Sequence, residues 1–421
     1  MNDLGERIRQ LRKERKMTLL DVAGKQLSKG MLSLIENGRA KPSMESLAHI
    51  ANQLGVDVYV LLEERSSEEV KRLLQKTEDK IENVEILFST LNLKEQYKNI
   101  YQDLKPIYEQ KLPNTYETGR LFELGGRCLM NAEEVEEGKK LVVKSIQIFE
   151  SLFLFDHALK AKIRFVYEKL ATGQFEDALK MFYALHDEYM GKITVIDTIV
   201  QIELDYLELI LLFSIGEYQK GKEVLDRLLR FSKRKSVFYL MDDIYRIAAF
   251  QALLNKNSED FKLFLLKSQQ FALFTDNKQT YGFSLFIEAH YHNEITKNFD
   301  QALAVLMKLD KLGPKIGAEI DGYYYLEKGK ALYGKGKIEA ALAQFAQFKL
   351  PIIASHPFDL AVLFTMESYR ARCLYEKGCT EEARRFAKRA ADKVAKLSHK
   401  TPYHTFIDET LQLVKQEPEV K

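Results

Sequence analysis

The feature that most constrains the fold is a short motif that recurs about every 40 residues. Seven related blocks of seven residues begin at positions 133, 173, 216, 256, 297, 336 and 378, so successive blocks lie 40, 43, 40, 41, 39 and 42 residues apart. The clearest copies are GQFEDAL at 173–179, KNFDQAL at 297–303 and GKIEAAL at 336–342. A regular period of this length is typical of arrays in which each repeat is one pair of antiparallel helices.

Each position of the block has a physical role in such a pair. Glycine at the first position, as at 173, 216, 336 and 378, permits a tight turn between the two helices. A small residue five positions later lets the helices approach closely, as at Ala178, Ala302, Ala341 and Ala383. One hairpin cannot bury its own faces, so neighbours stack and each hairpin touches only the next. The sequence therefore predicts a helical repeat domain over residues 66–421.

Residues 1–65 have a different pattern, of five short helices. We expect them at about Asp3–Arg15, Leu19–Ala23, Ser28–Glu36, Met44–Leu54 and Val58–Leu62. Thr18, Ser28 and Ser43 each precede a helix as a capping residue, and Asp21 completes a capping box with Thr18. Two short helices joined by a tight turn after Gly24 are typical of a helix-turn-helix. Residues 1–65 are therefore predicted to form a separate domain.

The residues of this segment also resemble a family. The stretch from Thr18 to Val56 resembles the XRE-type helix-turn-helix, above all in IENG at 35–38, Pro42-Ser43 and SLAHIANQLGV at 46–56. It departs in Leu19, where the family usually has Gln, and in a shorter turn before the third helix. The resemblance implies binding to double-stranded DNA, with the third helix in the major groove. The DNA-contacting residues would be Thr18, Ser28, Lys29, Gly30, Met31, Ser33, Arg39 and Lys41. Glu36, which phosphates would repel, is expected to be structural.

The repeats resemble stretched tetratricopeptide (TPR) repeats. An XRE-type head joined to such repeats resembles the peptide-pheromone-responsive RRNPP regulators. The expected fold is thus all-α, with a five-helix helix-turn-helix domain followed by a right-handed TPR-like α-solenoid. The resemblance further implies a homodimer whose concave repeat surface binds a short signalling peptide, as in quorum sensing. Periodicity by itself predicts only that a concave surface exists.

In TPR hairpins the inner face belongs to the first helix of each pair. Counting back from each turn gives three rows of equivalent positions as candidate peptide contacts. The first row holds Lys160, Glu203, Asp243, Ser284 and Tyr323, the second holds Tyr206 and Arg246, and the third holds Tyr167, Tyr291 and Lys330.

Charge is distributed unevenly. Residues 1–41 hold 10 Lys and Arg against 5 Asp and Glu, a balance of +5, whereas the remainder holds 53 against 56, a balance of −3. A basic N-terminal segment indicates an anionic partner there, and an ordinary solvated basic helix is the alternative.

No enzyme is expected, because no phosphate loop, dinucleotide motif or catalytic residue can be recognised. His290 and His292 point to opposite sides of a helix, so neither a metal site nor a cofactor is expected. The start of the chain has no apolar signal core and the apolar windows carry charges, so we expect a cytoplasmic protein without a membrane partner.

Two other functions remain open at this stage. The array could be a TPR scaffold that binds a protein partner such as a phosphorelay response regulator. An RNA-binding or toxin–antitoxin role for the head would leave the long array unexplained.

Overall fold

A computed structural model describes residues 3–62, 67–86, 92–312, 318–351 and 356–416. All regular structure in these ranges is helical, which confirms the all-α prediction. The chain divides into two compact units, Met1–Arg164 and Phe165–Lys421. The predicted boundary at residue 65 lies outside the described residues and stays a prediction. In the described ranges we find no helix with both the length and the apolar character needed to cross a bilayer.

The first five helices agree with the predicted ones to within a residue. They are α1 (Asp3–Glu14), α2 (Leu19–Ala23), α3 (Lys29–Glu36), α4 (Met44–Leu54) and α5 (Val58–Leu62). The hydroxyls of Thr18, Ser28 and Ser43 cap α2, α3 and α4, and the capping box with Asp21 is formed. These short helices are therefore bounded by local hydrogen bonds that the sequence already contains.

The core of this five-helix domain takes one side chain or more from every helix. Ile8, Val22, Leu32, Ile50 and Leu61 are completely buried. The N-terminal part of α1 lies directly against the end of α3, because a Cβ at Gly5 would be 2.2 Å from the carbonyl oxygen of Ile35. A larger residue at position 5 would push α3 away from the core.

The first unit continues with longer helices. These are α6 (Ser67–Ile86), α7 (Leu93–Tyr108), α8 (Tyr116–Asn131) and α9 (Val135–Ser151), and α10 (Phe155–Ala171) crosses into the second unit. Helices α8 and α9 form the first hairpin of the repeat pattern. They meet through glycines, since a Cβ at Gly138 would be 2.7 Å from the carbonyl oxygen of Gly126.

The second unit consists of further helices in hairpin order. They are α11 (Phe175–Met190), α12 (Thr198–Ser214), α13 (Tyr218–Lys235), α14 (Met241–Leu254), α15 (Ser258–Phe274), α16 (Lys278–Tyr291), α17 (Phe299–Lys311), α18 (Ala318–Gly334), α19 (Ile338–Gln347), α20 (Pro357–Glu376), α21 (Thr380–Val394) and α22 (Tyr403–Leu413). A single π-helical turn, His292–Thr296, follows α16. Helix α12 packs on α13, α14 on α15, α16 on α17, α18 on α19 and α20 on α21.

The predicted turn position adopts the same backbone conformation in all seven repeats. The first residue of each block has a positive φ: Glu133 (66°), Gly173 (76°), Gly216 (83°), Lys256 (55°), Lys297 (52°), Gly336 (69°) and Gly378 (77°). Glycine adopts this conformation without cost, whereas the three other residues do so against their preference. The repeat register predicted from the sequence is therefore confirmed at the turns.

Small residues permit the close packing that was expected within the hairpins. Ala178, Ala302, Ala341 and Ala383 are all completely buried. At the corresponding position of another repeat, a Cβ on Gly221 would be 2.1 Å from the ring of Phe213.

The second unit closes on itself, which the sequence did not predict. Helix α12 contacts α20, and the loop between α21 and α22 reaches the turn between α12 and α13. In that loop the Ser398 hydroxyl donates to the carbonyl oxygen of Ser214 (3.3 Å), and the His399 ring lies 2.9 Å from the Tyr218 hydroxyl. The expectation that each hairpin touches only its neighbours is therefore wrong here, because aromatic and polar side chains join hairpins that are distant in sequence.

Candidate functional site

The N-terminal half of α3 presents an exposed face that begins at a capped helix end. The Ser28 hydroxyl accepts a hydrogen bond from the backbone N–H of Met31 (3.1 Å). Lys29, Gly30 and Met31 are exposed, whereas Leu32 is completely buried in the core of the domain. The first turn of α3 is thus free to contact another molecule while its opposite side holds it to the domain.

A buried ion pair fixes the other end of α3. The guanidinium of Arg12 contacts both carboxylate oxygens of Glu36, at 2.7 and 2.8 Å, and it also donates to the carbonyl oxygen of Met17 (3.1 Å). Only 3% of the Glu36 side chain is exposed. The hydrogen bond that Arg12 donates to Glu36 raises the pKa of Arg12 above its ordinary value. Glu36 therefore has the structural position expected for it, and α1 and α3 are joined by a two-point contact.

A histidine on α4 stabilises the turn that precedes α3. His49 Nε2 lies 2.8 Å from the carbonyl oxygen of Ala23, at the end of α2. Gly24 follows with a φ of 57°, and a Cβ there would lie 3.1 Å from the His49 ring. The angle between α2 and α3 is thus set by a left-handed glycine and a histidine contact.

Two groups of basic side chains in the domain differ in their surroundings. Arg7 is buried and donates to the carbonyl oxygen of Leu61 (3.3 Å), and Arg9 hydrogen-bonds Asn37. Arg7 and Arg12 contact the interior of the domain and Arg9 has partners within it, so the balance of +5 overestimates the charge available to another molecule.

The second group lies around α3. Lys25, Lys29, Arg39 and Lys41 are exposed, and none has an ion-pair partner within the described residues. Sequence reasoning missed Lys25. Its signal was its position directly after Gly24, in the turn that leads into α3.

The hydroxyl-bearing candidates are engaged locally. Thr18 Oγ1 donates to Asp21 (2.8 Å), and hydrogen bonds from the backbone and side chain of Thr18 lower the pKa of Asp21. Ser33 is half-buried, and its carbonyl oxygen accepts from the Asn37 amide (2.7 Å). The hydroxyls of Thr18 and Ser28 therefore fix helix ends in addition to any contact with a ligand.

In the second unit, three of the predicted peptide contacts come together. The Tyr206 hydroxyl donates to Asp243, and Arg246 Nε donates to the other carboxylate oxygen of Asp243 at 2.6 Å. Burial alone would raise the pKa of Asp243, but the charge and hydrogen bond of Arg246 outweigh it and hold that pKa below its ordinary value. The Arg246 and Asp243 side chains remain 27% and 20% exposed. The cluster is therefore charged and partly accessible.

The residues around this cluster lie on several helices, each of which is the first helix of its hairpin. The Arg246 guanidinium on α14 lies 5.7 Å from the ring centroid of Phe283 on α16, and the charge of Asp359 on α20 also acts on it. Tyr206 lies on α12 and interacts electrostatically with Tyr167 on α10. Half-buried Glu203, one turn before Tyr206, accepts from the Tyr239 hydroxyl (3.3 Å). Lys160, also half-buried, lies in the first unit.

Four of the ten predicted contacts lie inside the helix packing. Ser284, Tyr291, Tyr323 and Lys330 are each less than a tenth exposed. Lys330 is paired with Glu327 (2.9 Å) and Glu294 (3.0 Å). Helices α16 and α18 are packed against several neighbours, so the counted positions point into protein there. These four residues are therefore not part of an accessible ligand surface.

The two histidines noted in the sequence have separate partners. His290 is buried between Glu327 (2.9 Å) and the Tyr403 hydroxyl (2.8 Å). His292 lies in the π-helical turn, 3.2 Å from the Thr296 hydroxyl. Over the described part of the chain, no group of three or more His, Cys, Asp or Glu side chains could hold a metal ion.

Comparison with known proteins concerns mainly the N-terminal domain. Residues 5–64 match the family model described as a helix-turn-helix domain. The HTH-type transcriptional regulator DdrOP3 of Deinococcus deserti is 48% identical over 61 residues, and the immunity repressor protein of Bacillus phage phi105 is 39% identical over 64 residues. These matches cover 14% and 15% of this chain and 47% and 44% of the relatives, so the chain spans about half the length of the curated relatives it matches.

Solved structures match over a longer part of the chain at lower similarity. Bacillus thuringiensis PlcR, in complex with the peptide PapR7 and DNA, aligns with 66% of this chain and 96% of its own, at 15% identity and a TM-score of 0.38. The apo form of the competence regulator ComR from Streptococcus vestibularis aligns with 64% and 92%, at 19% identity and a TM-score of 0.33. Both TM-scores lie below 0.5, so these likenesses decide nothing about this chain. The family match and the geometry around α3 together identify residues 5–64 as a helix-turn-helix domain.

Proposed function

We propose that this protein is a sequence-specific DNA-binding transcription regulator. The observation that carries the proposal is the exposed first turn of α3, which is capped by Ser28 and held to the domain by the Arg12–Glu36 pair. In helix-turn-helix domains, the N-terminal residues of this helix contact base edges in the major groove. A rigidly held helix with a free first turn meets that requirement.

The side chains around α3 have suitable chemistry for the two kinds of contact. Lys29 can donate to the O6 and N7 acceptors of guanine, and Met31 offers an apolar surface to a thymine methyl group. Lys25, Arg39 and Lys41 lie in the flanking turns, where cations pair with phosphates. Phosphate contacts would supply affinity and base contacts would supply specificity.

The test is binding of the full chain to a duplex selected from a random library, followed by fluorescence anisotropy. Lys29→Ala combined with Arg39→Ala should weaken binding by about 1–3 kcal/mol and reduce the salt dependence. The control is Lys220→Ala combined with Lys222→Ala, which removes two exposed charges outside the helix-turn-helix domain. Equal affinity for both double variants would contradict the assignment.

We also propose that the protein acts as a homodimer. One helix-turn-helix reads only a few base pairs, and two of them bind half-sites separated by about 34 Å or a multiple of it. Sedimentation of the full chain with the selected duplex should give two chains per duplex. A single bound chain at saturation would contradict this proposal.

We propose further that the second unit binds a short peptide at the cluster of Tyr206, Asp243 and Arg246. Within the described residues, Arg246 donates a hydrogen bond through its Nε alone. Its two Nη groups therefore retain four N–H donors for a peptide carbonyl or carboxylate. The ring of Phe283 offers an apolar surface beside them. Peptide binding would affect DNA binding if the unit has two arrangements that differ in DNA affinity. A peptide that binds one arrangement more tightly shifts the population towards it, by at most the difference in its affinity for the two.

Calorimetry with synthetic peptides encoded by short reading frames next to the gene tests this part. Arg246→Ala combined with Tyr206→Ala should weaken binding at least about tenfold, or 1.4 kcal/mol. Arg234→Ala, at an exposed arginine outside the cluster, is the matched control. Unchanged binding in the double variant would contradict the location. Failure of every peptide to bind below about 100 μM would contradict the ligand.

A further inference from the structure

A cavity in the second unit has features that neither DNA nor peptide binding uses. It lies between α19, α20 and α21 and has a volume of about 270 Å³, roughly that of nine water molecules. One part of its wall is apolar and the other is charged. The apolar lining is Phe345, Ala346, Phe348, Leu350 and Met366, and the charged lining is Glu367, Arg370, Arg389 and Lys393. The size suits a molecule as small as a single amino acid.

The charges of the lining do not balance. Three cations and one carboxylate line the cavity, which gives it a formal charge of +2. Only 4% of the Glu367 side chain is exposed, and its Oε1 lies 3.4 Å from Arg389 Nη1 and 3.1 Å from Lys393 Nζ. The excess positive charge favours a ligand with an anionic group.

Two of the residues that line the cavity each have a buried polar atom without a hydrogen-bond partner within the described residues. One is the second carboxylate oxygen of Glu367, Oε2, and the other is Nε of Arg370. Both residues lie on α20, three positions apart and therefore on one face of the helix. The Arg370 guanidinium stacks on the ring of Phe386 at 4.1 Å. Buried polar atoms in folded proteins are nearly always paired, so a molecule bound at these residues could supply a donor for Glu367 and an acceptor for Arg370.

We propose that this cavity binds a small zwitterion with an apolar side chain, of which an apolar α-amino acid is the simplest. Its carboxylate accepts from Arg370, with Arg389 close by, and its ammonium donates to Glu367 Oε2. Its side chain packs against Phe348, Leu350 and Met366. An anion without the ammonium leaves the Glu367 oxygen unpaired, and an amine without the carboxylate meets three cations. The proposal depends on neither the DNA nor the peptide assignment.

The first test compares four ligands with the full chain by calorimetry. L-Phenylalanine should bind saturably at about 1 mM or tighter. The partial ligands 3-phenylpropionate, phenethylamine and glycine each lack one of the three matched groups, and each should bind at least about tenfold more weakly. The proposal is overturned if phenylalanine shows no saturable binding up to about 10 mM, or if 3-phenylpropionate binds equally well.

The second test uses variants. Arg370→Met keeps an apolar chain over Phe386 but removes the donor, so phenylalanine binding should fall at least about tenfold. Arg385→Met is the matched control, since the Arg385 guanidinium also lies over Phe386, at 5.4 Å, but does not line the cavity. Equal effects of the two changes would overturn the location. Glu367→Gln should weaken phenylalanine binding and strengthen 3-phenylpropionate binding. This opposite change is not expected from a loss of folding, and shifts in the same direction would overturn the role of Glu367.

Discussion

Two glycines of the second unit should respond to the same substitution with opposite signs. Gly336 begins a repeat block with a φ of +69°, whereas Gly191 ends α11 with a φ of −68°. At both positions a Cβ would have no neighbour within 4 Å among the atoms described. Changing either residue to alanine therefore adds a methyl group in open space, and only the backbone conformation differs between the two sites.

The magnitudes follow from two opposing terms. Alanine in a left-handed conformation costs about 1–2 kcal/mol. Alanine also restricts the unfolded chain, which stabilises the folded state by about 0.4–1 kcal/mol wherever the native conformation suits it. Gly336→Ala should therefore destabilise the second unit by roughly 0.5–1.5 kcal/mol. Gly191→Ala carries only the second term and should stabilise it by about 0.4–1 kcal/mol.

Thermal unfolding of the full chain, followed by circular dichroism, measures both variants. The second unit has 257 residues, counted from Phe165 to Lys421, and in units of about that size 1 kcal/mol shifts the midpoint by about 2–4 °C. The midpoint should fall for Gly336→Ala and rise for Gly191→Ala. Shifts of the same sign would refute the assignment of a left-handed turn at the start of the repeat.

Three further predictions follow from other contacts. Arg12→Ala removes both short contacts of buried Glu36 and leaves it only the Arg9 guanidinium at 3.5 Å, so it should destabilise the helix-turn-helix domain by about 2–4 kcal/mol, measured by urea unfolding, whereas an unchanged midpoint would mean that the Arg12–Glu36 pair is dispensable. Burial alone would raise the pKa of Glu294, but Lys330 and other cations hold it at about 2, below the ordinary value of 4.5. Because the folded-state pKa is the lower one, this stabilisation is complete above about pH 4.5 and disappears as the pH falls towards 2. Glu294→Gln should accordingly cost on the order of 3 kcal/mol at pH 6 and little near pH 2, and a difference independent of pH in urea unfolding would contradict this. Cys379 is exposed and burial raises the pKa of the other two thiols to about 12, so a thiol reagent at pH 8 should label one cysteine per native chain, and rapid labelling of more than one would contradict their burial.

Features that depend on a few neighbouring residues could be predicted from the sequence. A capping hydroxyl acts on a backbone N–H three residues away, so Thr18, Ser28 and Ser43 fix their helix starts wherever the helices later pack. The repeat turns depend on one residue each, and the period identified them even where Lys256 and Lys297 replace glycine. Local signals of this kind were sufficient to predict the helix starts of the N-terminal domain and the turns of the hairpins.

Features that depend on contacts distant in sequence could not be predicted in the same way. A repeat register says which side of its helix Lys330 lies on, but not that Glu294 from the preceding π-helical turn meets it there. The closure of the second unit through Ser398 and Ser214 joins residues 184 positions apart, and no repeat period encodes such a contact. For this reason the predicted row positions include the partly exposed Tyr206, Asp243 and Arg246 together with buried residues.

The charge balance of the N-terminal segment indicated an anionic partner, but not every cation in that balance is available to one. Arginines on α1 contribute to the balance of +5, yet Arg7 and Arg12 serve the interior, where one holds α5 and the other holds α3. The cations left for a partner near α3 are those of the turns around it and of its first residue, which follow Gly24 in the sequence. In this domain Arg12 on α1 holds the exposed helix α3 in position, and lysines such as Lys25 and Lys29 supply the positive charge beside it. The exposed lysines around α3 therefore favour an anionic partner. Arg7 and Arg12 contribute to its binding only indirectly, because they stabilise the packing of the helices.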